Sequence, residues 1–230
     1  AFPTGYRLSY GPEEAARDIT RLRTLALGDG EGERAERVVR LYRLPADGPQ
    51  TLRLKVYVLK GTLALSDAVP ALENFGFRVI EDVPTELDGG KLGTIHDFVL
   101  ATPAGLEPAA LLERATAIET AISDVLNGTA EDDPFNRLIT AAALGARQAN
   151  WLRAWYRYLR QAGLNYSVPT AVDALQHAPD VTRAVIALFA CRHDPAFKGD
   201  RAKAETAAQE DIRAGLALGK ATNDGRLLRQ

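Results

Sequence analysis

From Thr51 to Leu59 the chain alternates, placing Leu52, Leu54, Val56 and Val58 on one side and Arg53, Lys55 and Tyr57 on the other. A period of two is the signature of a half-buried strand. Leu65, Val69, Leu72 and Phe75 then recur at helical spacing. Ser66 stands where an N-cap is expected, and Gly76 where a helix ends in a left-handed residue. Phe77, Val79 and Val83 open the next strand, and Thr94–Ala101 forms another. Upstream, Tyr6 to Tyr10 alternates briefly, and Pro12, Glu13 and Glu14 suit the first turn of a helix carrying Ala16, Ile19, Leu22 and Leu25 on one face. Arg37–Leu44 reads as a strand, followed by a Pro/Asp/Gly turn. This order predicts an α+β, ferredoxin-like antiparallel sheet with helices on one face.

Strand patterns stop near Leu106. Leu111, Ala115, Ile118, Ile122 and Val125 mark one helix over 106–126, and Phe135–Gln161 reads as a second, long one. Segments 168–176, 180–192 and 202–218 complete an all-α helical subdomain. The expected division is an α+β domain over 1–104 and a helical domain over 105–230.

The composition is that of an ordinary globular domain, with 46% hydrophobic and 25% charged residues. A formal net charge of -2 argues against a general polyanion binder. No apolar run approaches the roughly 20 residues that span a bilayer, and the first residues lack the basic and apolar regions of a signal peptide. The single cysteine, Cys191, excludes an internal disulfide and a cysteine metal cluster. Cytoplasm is the expected compartment. The chain does not begin with Met, which suggests a piece of a longer polypeptide; that it contains none at all has no physical account.

Chemistry is sparse. The acidic GDGEGE stretch, 28–33, has the wrong glycine spacing for a phosphate cradle and reads as linker. His96 and Asp97 are adjacent on a strand and so point to opposite faces, which separates a base from its orienter. The three histidines have no metal-ligand spacing. Arg153, Arg157 and Arg160 recur along WLRAWYRYLRQ, 151–161, beside Trp155 and Tyr158. Such a stripe can stack on bases and neutralise phosphates. It also describes an amphipathic helix whose arginines pair with carboxylates, and the acidic balance favours that reading. No nucleophile elbow, Walker loop or dinucleotide fingerprint is present.

LKVYVLKGTLALSDAVPALENFGFRVIEDVP is similar to ACT-type regulatory modules. With TLRLKVY, IHDF, DDPFNRLITAAAL, WLRAWYRYLRQ and ALFACRHDP in that order, residues 35–200 resemble the middle region of the very large bacterial NAD-dependent glutamate dehydrogenases. The resemblance implies a non-catalytic segment of a much longer chain. The parent would convert L-glutamate, NAD and water to 2-oxoglutarate, ammonium and NADH, with its substrate and nicotinamide sites elsewhere. NAD is then a cofactor of the parent and no cofactor belongs to this segment. Its implied partners are other domains and subunits of the same enzyme, in a homo-oligomer, without nucleic acid or membrane.

Two roles follow. As a sensor, the segment would hold a free amino acid near Lys60, Gly61 and Ser66, where a glycine loop meets a helix N-terminus rich in N–H donors. As a scaffold, it would pair exposed sheet edges with other modules and brace subunits with its helices. The scaffold is favoured, because the loop offers no anchoring charge beyond Lys60. The alternative is a nucleic-acid or protein-interaction adaptor using helix 151–161.

Overall fold

Residues 2–27 and 37–218 are described by the computed structural model; the GDGEGE stretch lies outside them. The chain divides into two compact units, residues 1–132 and 133–230.

The first unit opens with two helices, α1 (Thr4–Ser9) and α2 (Pro12–Leu27). Four strands follow: β1 (Arg37–Tyr42), β2 (Thr51–Val58), β3 (Arg78–Glu86) and β4 (Thr94–Ala101), with helix α3 (Leu65–Asn74) between β2 and β3. Helices α4 (Pro108–Glu113) and α5 (Ala115–Leu126) complete it. All three strand pairings are antiparallel, in the order β1-β2-β4-β3. Inserting β4 between β2 and β3 gives the split βαβ arrangement expected from the sequence. The edge position beside β2 is filled by β1, which precedes that unit in the chain.

Leu52, Leu54 and Val56 have no exposed surface, and Phe75 and Leu72 of the α3 region are equally buried. Gly76 ends α3 at φ 88°, as its position after Phe75 predicts. The N-cap of α3 is Ala64, without a side-chain bond; Ser66 lies two residues further on, within the first turn, exposed, with its hydroxyl on Asp67. The capping role expected for Ser66 is therefore corrected. Gly93, at φ 105°, closes the β3–β4 turn so tightly that a Cβ there would lie 2.6 Å from the Val58 carbonyl oxygen.

The opposite face of the sheet, carrying Arg53, Lys55 and Tyr57, is also covered. Helices α1 and α2 lie over it, and Tyr6–Tyr10, which reads as a brief strand, is helical through Ser9. Phe2, Tyr6 and Tyr10 recur every fourth residue, and their rings meet in sequence, stacked at 4.1 Å and then tilted at 4.6 Å. That spacing, rather than the alternation of 6, 8 and 10, decides the local structure; Leu8 is 83% exposed.

Helices α4 and α5 stand with the sheet, so the compact unit runs past the expected boundary at 104 to Asp132. The reason is α5, which buries Ile118, Ala121 and Ile122 and lies along β1.

In the second unit, a 3-10 turn (Pro134–Asn136) leads through α6 (Arg137–Ala141) to α7 (Ala146–Gln161), α8 (Val168–His177), α9 (Pro179–His193) and α10 (Arg201–Leu218). The long helix expected over 135–161 is broken at 142–145, where Ala143 takes φ 56° and Gly145 becomes the N-cap of α7. Gln148 returns its side-chain oxygen to the Gly145 N–H, completing that cap. The core is Phe135, Leu138, Ala142, Leu144, Leu152, Val172 and Ile186, with Trp151 and Trp155 packed beside it.

Candidate functional site

A dense cluster of charge lies between α2 and the sheet. Glu14, Asp18, Leu22 and Leu25 succeed one another at intervals of four, four and three, so one face of α2 begins acidic and ends apolar. The apolar end packs with Tyr57, Leu87 and Ile95. The acidic end meets Lys55, which has no solvent-exposed surface, as has Asp18.

Lys55 Nζ donates to Asp18 Oδ2 at 2.6 Å and to Glu14 Oε1 at 2.7 Å. Three tyrosine rings surround the ammonium, with centroids at 4.2 Å (Tyr10), 5.2 Å (Tyr42) and 5.5 Å (Tyr6). Such faces stabilise a cation that has lost its water. Arg40 grips Glu14 with both terminal nitrogens, at 2.5 and 3.1 Å. Asp18 also accepts from Tyr6 at 2.5 Å and from Tyr57 at 2.7 Å. Asp97 accepts from the hydroxyls of Tyr10 and Tyr42, with Arg53 Nη1 3.6 Å away. Arg53 in turn bonds Asp47 at 2.9 Å, in the β1–β2 turn.

The electrostatics follow from this crowding. Burial alone pushes the Glu14 carboxyl up, but the hydrogen bonds from Arg40 and Lys55 outweigh it and hold the group down at about 2. Burial pushes Asp97 above its ordinary value, and the Tyr10 and Tyr42 hydroxyls only partly offset it. All four phenols are raised by burial, with carboxylates that they bond to or face adding to it: Asp18 for Tyr6 and Tyr57, Asp97 for Tyr10 and Tyr42. These phenols stay protonated and act as donors. Its carboxylates, phenols and ammonium are bonded to one another. The arrangement joins elements rather than transforming a ligand.

Of the candidate residues weighed in the sequence, Asp97 alone belongs to this cluster. Lys60 and Gly61 are exposed in the loop after β2, with Gly61 at φ 77° and open space around it. Ser66 is exposed on the first turn of α3. Beside that turn lies a cleft of about 130 Å³ lined by Arg37, Leu63, Ala64, Asp67, Ala71 and Asp132, with Val125 and Leu126 from the end of α5. His96 does lie on the face opposite Asp97 and has its own partner, Asp82, at 2.9 Å. On α7, Arg153 is 2% exposed and turned inward onto Asp133, at 2.6 and 2.8 Å, and Asn136. The continuous basic stripe over Arg153, Arg157 and Arg160 is therefore absent from the surface. Trp151 and Trp155 pack on Phe189, at 4.9 and 4.8 Å. Among the described residues, no group of His, Cys, Asp or Glu is arranged to hold a metal ion, and no helix is long and apolar enough to cross a membrane.

Three family models for glutamate dehydrogenase match the chain in succession. Helical motif 2 matches residues 1–25, the ACT3 domain 36–115 and helical motif 3 130–195. The whole chain aligns at 32% identity with the NAD-specific glutamate dehydrogenases of Pseudomonas aeruginosa and Halomonas elongata. The chain belongs to the NAD-specific glutamate dehydrogenase family. The enzyme of Mycobacterium tuberculosis is 29% identical over 95% of the chain. The chain spans 14% of the length of each of these relatives and corresponds to a segment of a large glutamate dehydrogenase. In these terms, the buried cluster is the joint between two family modules. Tyr6, Tyr10, Glu14 and Asp18 come from helical motif 2, and Arg40, Tyr42, Lys55, Tyr57 and Asp97 from the ACT3 domain.

Proposed function

We propose that this chain is a non-catalytic scaffold within an NAD-dependent glutamate dehydrogenase, holding helical motif 2 and the ACT3 sheet as one rigid element. The observation that carries this reading is the Lys55–Asp18–Glu14 cluster, whose charges are buried, mutually paired and supplied from both modules. A buried ion cluster is costly to break from one side, because the charges left behind have no water to turn to. It therefore specifies one relative position of the two modules. Oxidation of L-glutamate to 2-oxoglutarate and ammonium with reduction of NAD is assigned to other parts of the parent chain. The partners of this segment are those parts and further subunits of the same enzyme, and cytoplasm is its compartment.

Amino-acid sensing is the second reading, favoured by the cleft beside Ala64 and Asp67, where Arg37, Asp67 and Asp132 bring both signs of charge to an apolar floor. The expected residues Lys60, Gly61 and Ser66 flank this region, but their exposure leaves them without an enclosed site of their own.

Two measurements on the pure chain separate the readings. Glutamate-dependent NADH formation is expected to be nil, and any would overturn the non-catalytic assignment. Thermal unfolding against the free amino acids, 2-oxoglutarate and NAD is expected to show no shift. A ligand at about 100 times its Kd would add about 2.7 kcal/mol. For a chain of this size that corresponds to roughly 5–10 °C. A selective shift with one amino acid would establish the sensor.

A further inference from the structure

An edge strand leaves every second backbone N–H and C=O without a partner, an invitation to any extended chain nearby. In β1 the even residues face β2, so the outward row belongs to Arg37, Val39 and Leu41. Each of these N–H groups is taken by a side chain of α5 or its cap. Leu41 N–H donates to Glu119 Oε1 at 2.8 Å, Val39 N–H to Ser123 Oγ at 3.2 Å, and Arg37 N–H to Asn127 Oδ1 at 3.0 Å. Two of the carbonyls are served as well. Arg37 O accepts from Asn127 Nδ2 at 2.7 Å, and Val39 O from Arg21 Nη1 at 3.0 Å.

The three acceptors stand at i, i+4 and i+8, and the three donors at j, j−2 and j−4. Four helical residues advance about 6 Å, and two strand residues about 6.8 Å. A helix lying antiparallel to a strand can therefore keep this register over two repeats. Ile118 and Ile122, fully buried, hold α5 in place from the adjoining face.

We infer that the polar face of α5 serves as a side-chain surrogate for a fifth strand, so that the β1 edge is a strand-acceptor site already filled from within the same chain. While α5 is docked, no strand of a neighbouring module or of a second copy can extend the sheet at β1. The other edge is blunted differently. A paired proline must turn its nitrogen away from its neighbour, so Pro84 removes a donor from the outward row of β3, and a bulge between Val79 and Glu81 interrupts it further. Growth of the sheet by strand addition is thereby disfavoured at both edges, against the expectation that exposed edges join modules.

The test is residue-resolved amide exchange on the intact 230-residue chain. An open edge would show an alternation, with Arg37, Val39 and Leu41 exchanging like free amides and Val38 and Arg40 protected. The surrogate strand predicts protection of both sets. Ser123→Ala should lower protection of the Val39 amide selectively, by about tenfold; unchanged exchange at Val39, or alternation in the unaltered chain, would overturn the inference. The triple variant Glu119→Ala, Ser123→Ala, Asn127→Ala should bind a synthetic peptide copying Thr51–Val58 that the unaltered chain does not bind. Binding by the unaltered chain, or by neither folded protein, would overturn the strand-acceptor assignment. If the triple variant does not fold, Ser123→Ala decides alone.

Discussion

Replacing Lys55 by Met removes a single charge while keeping much of the side chain's apolar stem. In the folded protein the consequence falls on Asp18 and Glu14, which lose donors at 2.6 and 2.7 Å. Removing one partner of a buried ion pair costs about 3–5 kcal/mol. Here the lower end is expected, because Glu14 retains Arg40 and Asp18 retains the Tyr6 and Tyr57 hydroxyls. The predicted loss is therefore about 3 kcal/mol, read by denaturant unfolding of both proteins with the slope checked for constancy. Lys60→Met, at an exposed position, is the control and should change stability by less than about 0.5 kcal/mol. A second substitution sharpens the test. Asp18→Asn removes the charge stranded by Lys55→Met, so the double variant should be more stable than the sum of the two losses by about 1–3 kcal/mol. A Lys55→Met loss below about 1 kcal/mol, or strict additivity, would refute a buried, mutually paired cluster.

The perturbed ionisations of the cluster predict a stability profile with a steep alkaline side. The raised phenols of Tyr6, Tyr10, Tyr42 and Tyr57 contribute stability that is present below the unfolded value of 10.0 and is lost above it, at about 1.4 kcal/mol per pH unit for each group. On the acid side, the depressed Glu14 contributes stability above 4.5 that is lost towards about 2, while the raised Asp97 opposes this trend; Glu14→Gln should flatten that limb in unfolding measured against pH. In the second unit, Arg153→Met leaves Asp133 and Asn136 without their buried donor and should cost about 3 kcal/mol by the same assay, whereas an arginine serving a surface ligand would leave stability unchanged. Ser66→Ala should alter the melting temperature by less than about 2 °C, because the hydroxyl caps no helix; a loss of about 1 kcal/mol or more would restore the capping role.

Much of the architecture was legible because local pattern and tertiary demand agree there. Alternation along Thr51–Val58, the helical stripe through Leu72 and Phe75, and the left-handed Gly76 each answer to the same buried face. Legibility failed where a second layer intervened. Arg53, Lys55 and Tyr57 read as a solvent face because charged residues usually are solvated, and nothing local shows that α2 brings two carboxylates over them. The clue was a conflict on α2. The stripe of Ala16, Ile19, Leu22 and Leu25 suggested one buried face, yet Ile19 is 46% exposed and Asp18 is inside. Acids at i and i+4 in line with Leu22 were the available signal, since a buried strand lysine needs counter-charges. The same limit applies to α5, whose Glu119 and Ser123 read as ordinary polar positions. Their role is visible only beside the edge of β1. The break at 142–145 was obscured because its alanines are good helix formers, and the turn is set by packing of Leu144 into the core.

The most direct test of the scaffold is native-state hydrogen exchange comparing amides of α2 with those of β2. If the buried cluster makes helical motif 2 and the ACT3 sheet one element, both sets should exchange only through a common opening, with free energies agreeing within about 1 kcal/mol. Lys55→Met should lower the two together. Exchange of α2 through a cheaper opening that leaves β2 protected would contradict the account, because the helices would then be a detachable layer on an independently stable sheet.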